Sequence, residues 1–111
     1  MYLWEFATTP KGVVRAPDEQ AKINRQSQNL VLYQFKTCPF CIKVRREISR
    51  LSLTIELRDA QKNSSYRQAL LTGGGQIKVP CLMIKDEHGI ETWVYESADI
   101  NQYLHSRFAR A

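Results

Sequence analysis

At 111 residues with 43% hydrophobic content, the chain has room for one domain around a single core, and a second catalytic or regulatory domain is not expected. Its longest apolar stretches, near residues 30–35 and 79–84, fall far short of the roughly 20 residues that cross a bilayer, and no secretion signal is visible at the N-terminus. Sixteen Lys and Arg against 11 Asp and Glu give a net charge of +5, scattered without a basic run or interleaved aromatics, so the excess suits a small anionic ligand and no nucleic acid is expected.

Residues 1–29 show no repeat or low complexity and stand as an N-terminal extension to a domain over residues 30–111. Within them, Pro17 followed by Asp18, Glu19 and Gln20 has the makings of a short helix start. Residues 30–35, Leu-Val-Leu-Tyr-Gln-Phe, read as a strand buried on both faces. A turn over 37–41 ends it, and Val44, Ile48 and Leu51 then recur at helical spacing opposite Lys43, Arg46, Glu47 and Arg50, so a helix begins at or beside Cys38. Residues 54–57 predict a second strand. Asn63, Ser64 and Ser65 offer helix caps, Ser65 and Gln68 have capping-box spacing, and Gly73-Gly74-Gly75 stops that helix. Strands over 79–85 and 90–95 flank the turn-like Asp86-Glu87-His88-Gly89 and predict an antiparallel hairpin. Ser97 opens a last helix in which Ile100, Tyr103, Leu104 and Phe108 share a face and Asp99 sits in the first turn. The order β-α-β-α-β-β-α predicts an α/β fold, a mixed four-stranded sheet flanked by helices, its first two strands parallel through a right-handed crossover.

Two of the three cysteines stand close together as Cys38-Pro39-Phe40-Cys41, which suits a redox or metal motif in a reducing, cytoplasmic setting better than a secreted disulfide scaffold. Disulfide exchange needs a thiolate nucleophile and, for a two-thiol route, a second sulfur within reach. Between a strand and a helix, Cys38 is expected to meet unpaired helix N–H groups that favour a charged sulfur, with Cys41 one turn inside and more shielded. An ordinary cysteine of pKa near 8.5 is only about 3% ionised at pH 7, whereas helix N-termini and nearby cations lower the value to roughly 3.5–7.5. Lys36 is a candidate cation, or else an exposed solubilising lysine; Pro39 suits a first helical turn and Phe40 an aromatic rim. Zinc is the competing use of the spacing. Cys81 would be a third ligand, but His88 falls in the hairpin turn, His105 on the last helix, and no second paired motif exists, so no metal is expected.

The residues Lys36-Thr37-Cys38-Pro39-Phe40-Cys41, then Lys78-Val79-Pro80, then Glu96-Ser97 opening a final helix, together resemble the glutaredoxin family over about residues 30–108. The resemblance implies a thioredoxin-like fold in which Pro80 is cis and the Val79 backbone pairs with the cysteinyl part of glutathione like an added strand. It implies that Ser97 and its helix N-terminus hold the γ-glutamyl carboxylate, Ser97 being otherwise a plain N-cap, and that Glu96 faces the ligand's ammonium or is solvated. Lys36 and Phe40 complete the implied glutathione-binding set, and Gln76, Lys78 and Arg67 compete for the glycyl carboxylate. Cys81 is expected close to the active cysteines, as a buried strand residue or a redox group. The chain departs from the common pattern with Phe40 where tyrosine is frequent, Lys78 where threonine often precedes Val-Pro, and Tyr95-Glu96-Ser97 in place of Gly-Gly-x-Asp. That last segment is similar to glutathione transferases and prostaglandin E synthase 2, whose helical second domain takes on the order of a hundred further residues.

The function implied is that of an enzyme, a glutathione-dependent thiol–disulfide oxidoreductase with glutathione as cosubstrate. Cys38 attacks a protein disulfide or glutathionylated thiol, and Cys41 or a second glutathione resolves the intermediate. Two readings compete. One is an iron–sulfur carrier or sensor with Cys38 and glutathione as ligands between two chains; Pro39 weighs against it, because cluster-binding members more often carry Cys-Gly-x-Cys or Cys-Gly-Phe-Ser. The other is a redox-sensitive binding module tethered to a membrane through a longer natural N-terminus, of which Tyr2-Leu3-Trp4-Glu5-Phe6 would be the tail.

Overall fold

A computed structural model describes residues 12–109. In chain order its elements are α1 (Pro17–Ser27), β1 (Leu30–Gln34), α2 (Pro39–Arg50), β2 (Glu56–Asp59), α3 (Ser64–Gly74), β3 (Cys81–Lys85), β4 (Glu91–Tyr95) and α4 (Ser97–Phe108). The strands form one sheet in the order β2-β1-β3-β4, with β1 parallel to β2 and antiparallel to β3, and β3 antiparallel to β4. All five residues of β1 are buried, because the strand is central and covered on both faces.

Alternation along β1 divides the core in two. Leu30 and Leu32, with Leu82 of β3, meet Val44 and Ile48 of α2 and Ile100, Leu104 and Phe108 of α4. Val31 and Tyr33, with Cys81 and Met83, face Leu70 of α3. Each fully buried Leu, Ile or Phe contributes about 1.5–3 kcal/mol over exposure, so these two clusters set the register of the sheet.

Several local expectations shift. The second strand begins at Glu56 rather than residue 54, because its ladder starts opposite Val31 while Leu53 and Ile55 turn into the helix-side core. The third begins at Cys81, after Val79 and Pro80. Asn63, not Ser65, caps α3, accepting from the Tyr66 N–H at 3.0 Å, while the Gln68 amide bonds forward to Thr72. The glycine triplet divides its labour. Gly75, at φ 93°, ends α3, whereas Gly73 and Gly74 lie inside it. A Cβ on Gly73 would sit 2.1 Å from the Trp93 ring, and one on Gly74 2.0 Å from the Tyr95 hydroxyl, so glycine there lets α3 approach β4.

The largest difference lies before β1, where residues 12–27 are built onto the same core. Ile23 of α1 is buried in the cluster beneath α2 and α4, and the Arg15 guanidinium donates to the carbonyls of Leu51, at 2.7 Å, and Phe108, at 2.8 Å. One cation thus serves the C-terminal ends of α2 and α4, where unpaired carbonyls and the helix dipoles concentrate negative charge. Gln20 adds a bond to the Ser52 carbonyl at 2.9 Å. The tail proposed at Tyr2-Leu3-Trp4-Glu5-Phe6 lies outside the described residues. Among the described residues no helix is long and apolar enough to cross a membrane.

Candidate active site

β1 ends at Gln34, and the chain turns through residues 35–38 into α2. Cys38 is the N-cap residue of α2, with extended backbone (φ −69°, ψ 124°), and Pro39 is the first helical residue, where its missing N–H costs nothing. The Cys38 N–H donates to the Phe35 carbonyl at 3.2 Å and its carbonyl accepts from Ile42 at 2.9 Å. No acidic residue lies in the first turn, so nothing there opposes negative charge on sulfur. The Cys38 side chain is half-buried, and Cys41, one turn in, is fully buried; both are free thiols, as is Cys81.

Cys41 Sγ accepts the Phe35 N–H at 3.4 Å. Burial pushes the Cys41 thiol up to about 12; the Phe35 N–H and the Arg45 cation oppose that shift, and a hydrogen bond to Cys38 and negative charge there reinforce it. At neutral pH Cys41 is therefore an S–H group that donates to the Cys38 sulfur. One sulfur of the pair is reachable, and the other is a buried proton donor beside it.

Beside this mouth lies a cleft of about 400 Å³, lined by Phe40, Lys43, Lys78, Val79, Pro80, Glu96, Ser97 and Ala98. Its size falls within the roughly 300–1,000 Å³ of small-ligand sites. Three distant segments meet there: the first turn of α2, the approach to β3 and the start of α4. The Val79–Pro80 peptide bond is cis. Phe40 is 56% exposed with the Lys43 ammonium over its ring, and Lys78 pairs with Glu96 across the opening. Glu96, at φ 70°, is the N-cap of α4, so Ser97 is the first helical residue and not the cap.

Of the residues singled out from sequence, Phe40, Val79, Pro80, Glu96 and Ser97 are brought together in the cleft, beside the mouth occupied by Cys38 and Cys41. Lys36 does not line the cleft; its carbonyl accepts from Arg45 at 2.8 Å. Of the three rivals for a ligand carboxylate, only Lys78 lines the cleft. Arg67 bonds the carbonyls of Ala60 and Gln61, and Gln76 offers its carbonyl to the Tyr95 hydroxyl at 2.9 Å. Cys81 points into the α3-side core, away from the face that α2 covers, and burial pushes its thiol up to about 11, partly offset by a hydrogen bond with Tyr95. Among the described residues no group of three or more metal-ligating side chains gathers. Arg45 and Tyr95 were not singled out as site residues, yet each holds a loop that shapes the site. The signal for Arg45 was its place four residues after Cys41, one turn on along the same side of the helix.

A reachable cysteine at a helix mouth, with a cis-proline leading into the neighbouring strand, places the chain in the thioredoxin-like class, and solved structures share the fold. Wheat glutaredoxin matches at a TM-score of 0.51 over 84% of this chain and 87% of that one, at 21% identity. A maleylacetoacetate isomerase from Anaeromyxobacter dehalogenans, with glutathione bound in its active site, matches at 0.58 over 77% of this chain and 40% of that one, at 23% identity. The glutaredoxin family model matches residues 30–89, more than half of the sequence, and the chain belongs to the glutaredoxin family. It is 33% identical over 82 residues to chloroplastic glutaredoxin-C4 of Oryza sativa subsp. japonica, a match covering 71% of this chain and 61% of that protein, so it spans less than two thirds of that relative's length.

Proposed function

We propose that this protein reduces mixed disulfides of glutathione, and protein disulfides, with glutathione as cosubstrate and Cys38 as the nucleophile. The observation that carries the reading is a half-buried cysteine at the N-cap of α2, next to a cleft lined by Val79, cis-Pro80, Glu96 and Ser97. In the first step the Cys38 thiolate attacks the glutathione sulfur of a mixed disulfide; the S–S bond breaks, Cys38 becomes glutathionylated, and the substrate leaves as a thiolate that takes a proton from water. A second glutathione thiolate then attacks the glutathione sulfur on Cys38, giving oxidised glutathione and returning the Cys38 thiolate. Cys41, buried and held as a thiol, is a poor attacker at neutral pH, which favours glutathione as the resolving thiol.

Glutathione would lie in the cleft with its cysteinyl backbone along Val79 and its γ-glutamyl carboxylate at the α4 N-terminus near Ser97, and the Lys78–Glu96 pair would open to give Glu96 to its ammonium and Lys78 to its glycyl carboxylate. Phe40 would cover the ligand's apolar side. A reducing compartment such as the cytoplasm, where glutathione is kept reduced, suits this cycle. The test is turnover of a peptide–glutathione mixed disulfide, coupled through glutathione reductase to NADPH oxidation. Cys38→Ser is expected to fall to background and Cys41→Ser to keep most of the activity. Full turnover by Cys38→Ser overturns the proposal.

A further inference from the structure

We propose that Arg45 is a positioning residue for this reaction, clamping the 34–38 loop so that Cys38 stays at the mouth of α2. The inference rests on the thiol–disulfide reading for its reaction, and on independent geometry for the clamp. The loop leaves the sheet at Gln34, the last residue of the β1–β2 ladder, and reaches Cys38 four residues later. Beyond the bonds of Cys38 and Phe35 already described, Arg45 holds it from the second turn of α2. One guanidinium nitrogen donates to the Gln34 side-chain oxygen, and the other donates to the Lys36 carbonyl at 2.8 Å.

Gln34 is a buried polar residue, 8% exposed, at the end of an otherwise apolar strand. Bonding to a cation accounts for it, since a buried amide oxygen left unpaired costs about 1–3 kcal/mol. The second contact fixes a backbone carbonyl two residues before the reacting sulfur. A planar fork with two donors can span a side-chain amide and a main-chain carbonyl at once, which a lysine ammonium on a flexible stem cannot do with the same precision. The same cation acts on the buried Cys41 thiol, opposing part of the upward shift that burial imposes there. Arg45 thus ties together the end of the central strand, the loop before the nucleophile and the helix that carries both cysteines. A small displacement of a reacting atom costs large factors in rate, so such a tie acts on turnover more than on ligand affinity.

The experiment measures amide hydrogen exchange and steady-state kinetics on the full chain carrying Arg45→Ala, Arg45→Lys, Gln34→Leu or, as a control that removes a cation from the last turn of α2, Arg50→Ala. In Arg45→Ala the Cys38 and Phe35 amides are expected to exchange about tenfold faster while core β1 amides keep their protection, and kcat to fall about tenfold with KM changed less than about twofold. Arg45→Lys should recover part of both effects, and Gln34→Leu, which removes one arm of the clamp and leaves the bond to the Lys36 carbonyl, should show roughly a third of the exchange effect. Arg50→Ala should match the wild type. Wild-type exchange at Cys38 and Phe35 in Arg45→Ala and Gln34→Leu overturns the clamp, as does a loss of protection spread evenly over the whole sheet. A wild-type chain without turnover that still shows the local exchange effect refutes the proposed reaction and leaves the clamp standing.

Discussion

Arg15→Ala tests whether the segment before β1 belongs to the fold. The substitution removes the bonds to the Leu51 and Phe108 carbonyls, at 2.7 and 2.8 Å, and a third to the Gln20 side chain at 3.1 Å. Hydrogen bonds from a charged donor contribute about 1.5–3 kcal/mol each, but Arg15 is partly exposed and water can reach the freed carbonyls, so solvent screening brings the sum of the three below that nominal range, to about 2–3 kcal/mol. For a domain of this size that lowers Tm by roughly 10–20 °C. Urea unfolding followed by far-ultraviolet circular dichroism gives the free energy, with the m-value checking that the transition stays two-state. Arg15→Lys keeps the charge but not the fork and should recover about half of the loss. A chain shortened to begin at residue 30 loses Ile23 from the core as well and is expected not to fold cooperatively. Arg15→Ala within about 0.5 kcal/mol of wild type, with an unchanged m-value, refutes the reasoning, because it would leave both helix ends indifferent to their shared cation.

Other measurements follow from the same structure. At pH 7.5 iodoacetamide should modify Cys38 first in the folded protein, with Cys41 and Cys81 reacting only on unfolding; mass spectrometry locates the label, and equal labelling of Cys41 contradicts its burial. Because folding raises the Cys41 thiol from 9.0 to about 12 and the Cys81 thiol to about 11, their contribution to stability is complete below pH 9 and is lost as pH rises through the folded values. Stability should decline above pH 9 with a limiting slope of about 1.4 kcal/mol per pH unit per thiol, and Cys81→Ala should decline less steeply. Gly74→Ala gains about 1 kcal/mol in helix propensity, yet its Cβ meets the Tyr95 hydroxyl at 2.0 Å and displaces it from the Gln76 carbonyl. A net loss of about 1–2 kcal/mol in thermal unfolding is expected, and a stabilised variant rejects the close-approach argument.

Much of the architecture was legible because its signals are local. β1 shows itself as five buried positions in a row, α2 and α4 as apolar residues every three or four positions, and the hairpin through Asp86 and Gly89, whose turn closes with the Asp86 carboxylate accepting from His88 and Ile90 and Gly89 at φ 81°. The place of Cys38 was equally readable, since Pro39 marks a first helical turn. The start of α1 at Pro17 was readable too, with Asp18 and Glu19 in its first turn, but its docking was not, because the helix offers one apolar anchor, Ile23, and is held largely by bonds from Arg15 and Gln20 to carbonyls tens of residues away. Arg67 looked like a ligand group because it is a cation on the helix before Pro80; in the fold it turns back to close the loop at Ala60 and Gln61.

The order of covalent neighbours alone determined which cysteine caps a helix, that the first two strands run parallel and that the last two form a hairpin, because periodicity, capping and turn chemistry act over a few residues; that β1 pairs with β3 was settled only by the assembled sheet. Tertiary structure decided that Lys78 and Glu96 meet across one cleft, that Arg45 reaches back to the loop before Cys38, and that Arg15 joins the ends of two helices. Those contacts span up to 93 positions in the chain and exist only once the two faces of the sheet are covered, so no local pattern could have carried them.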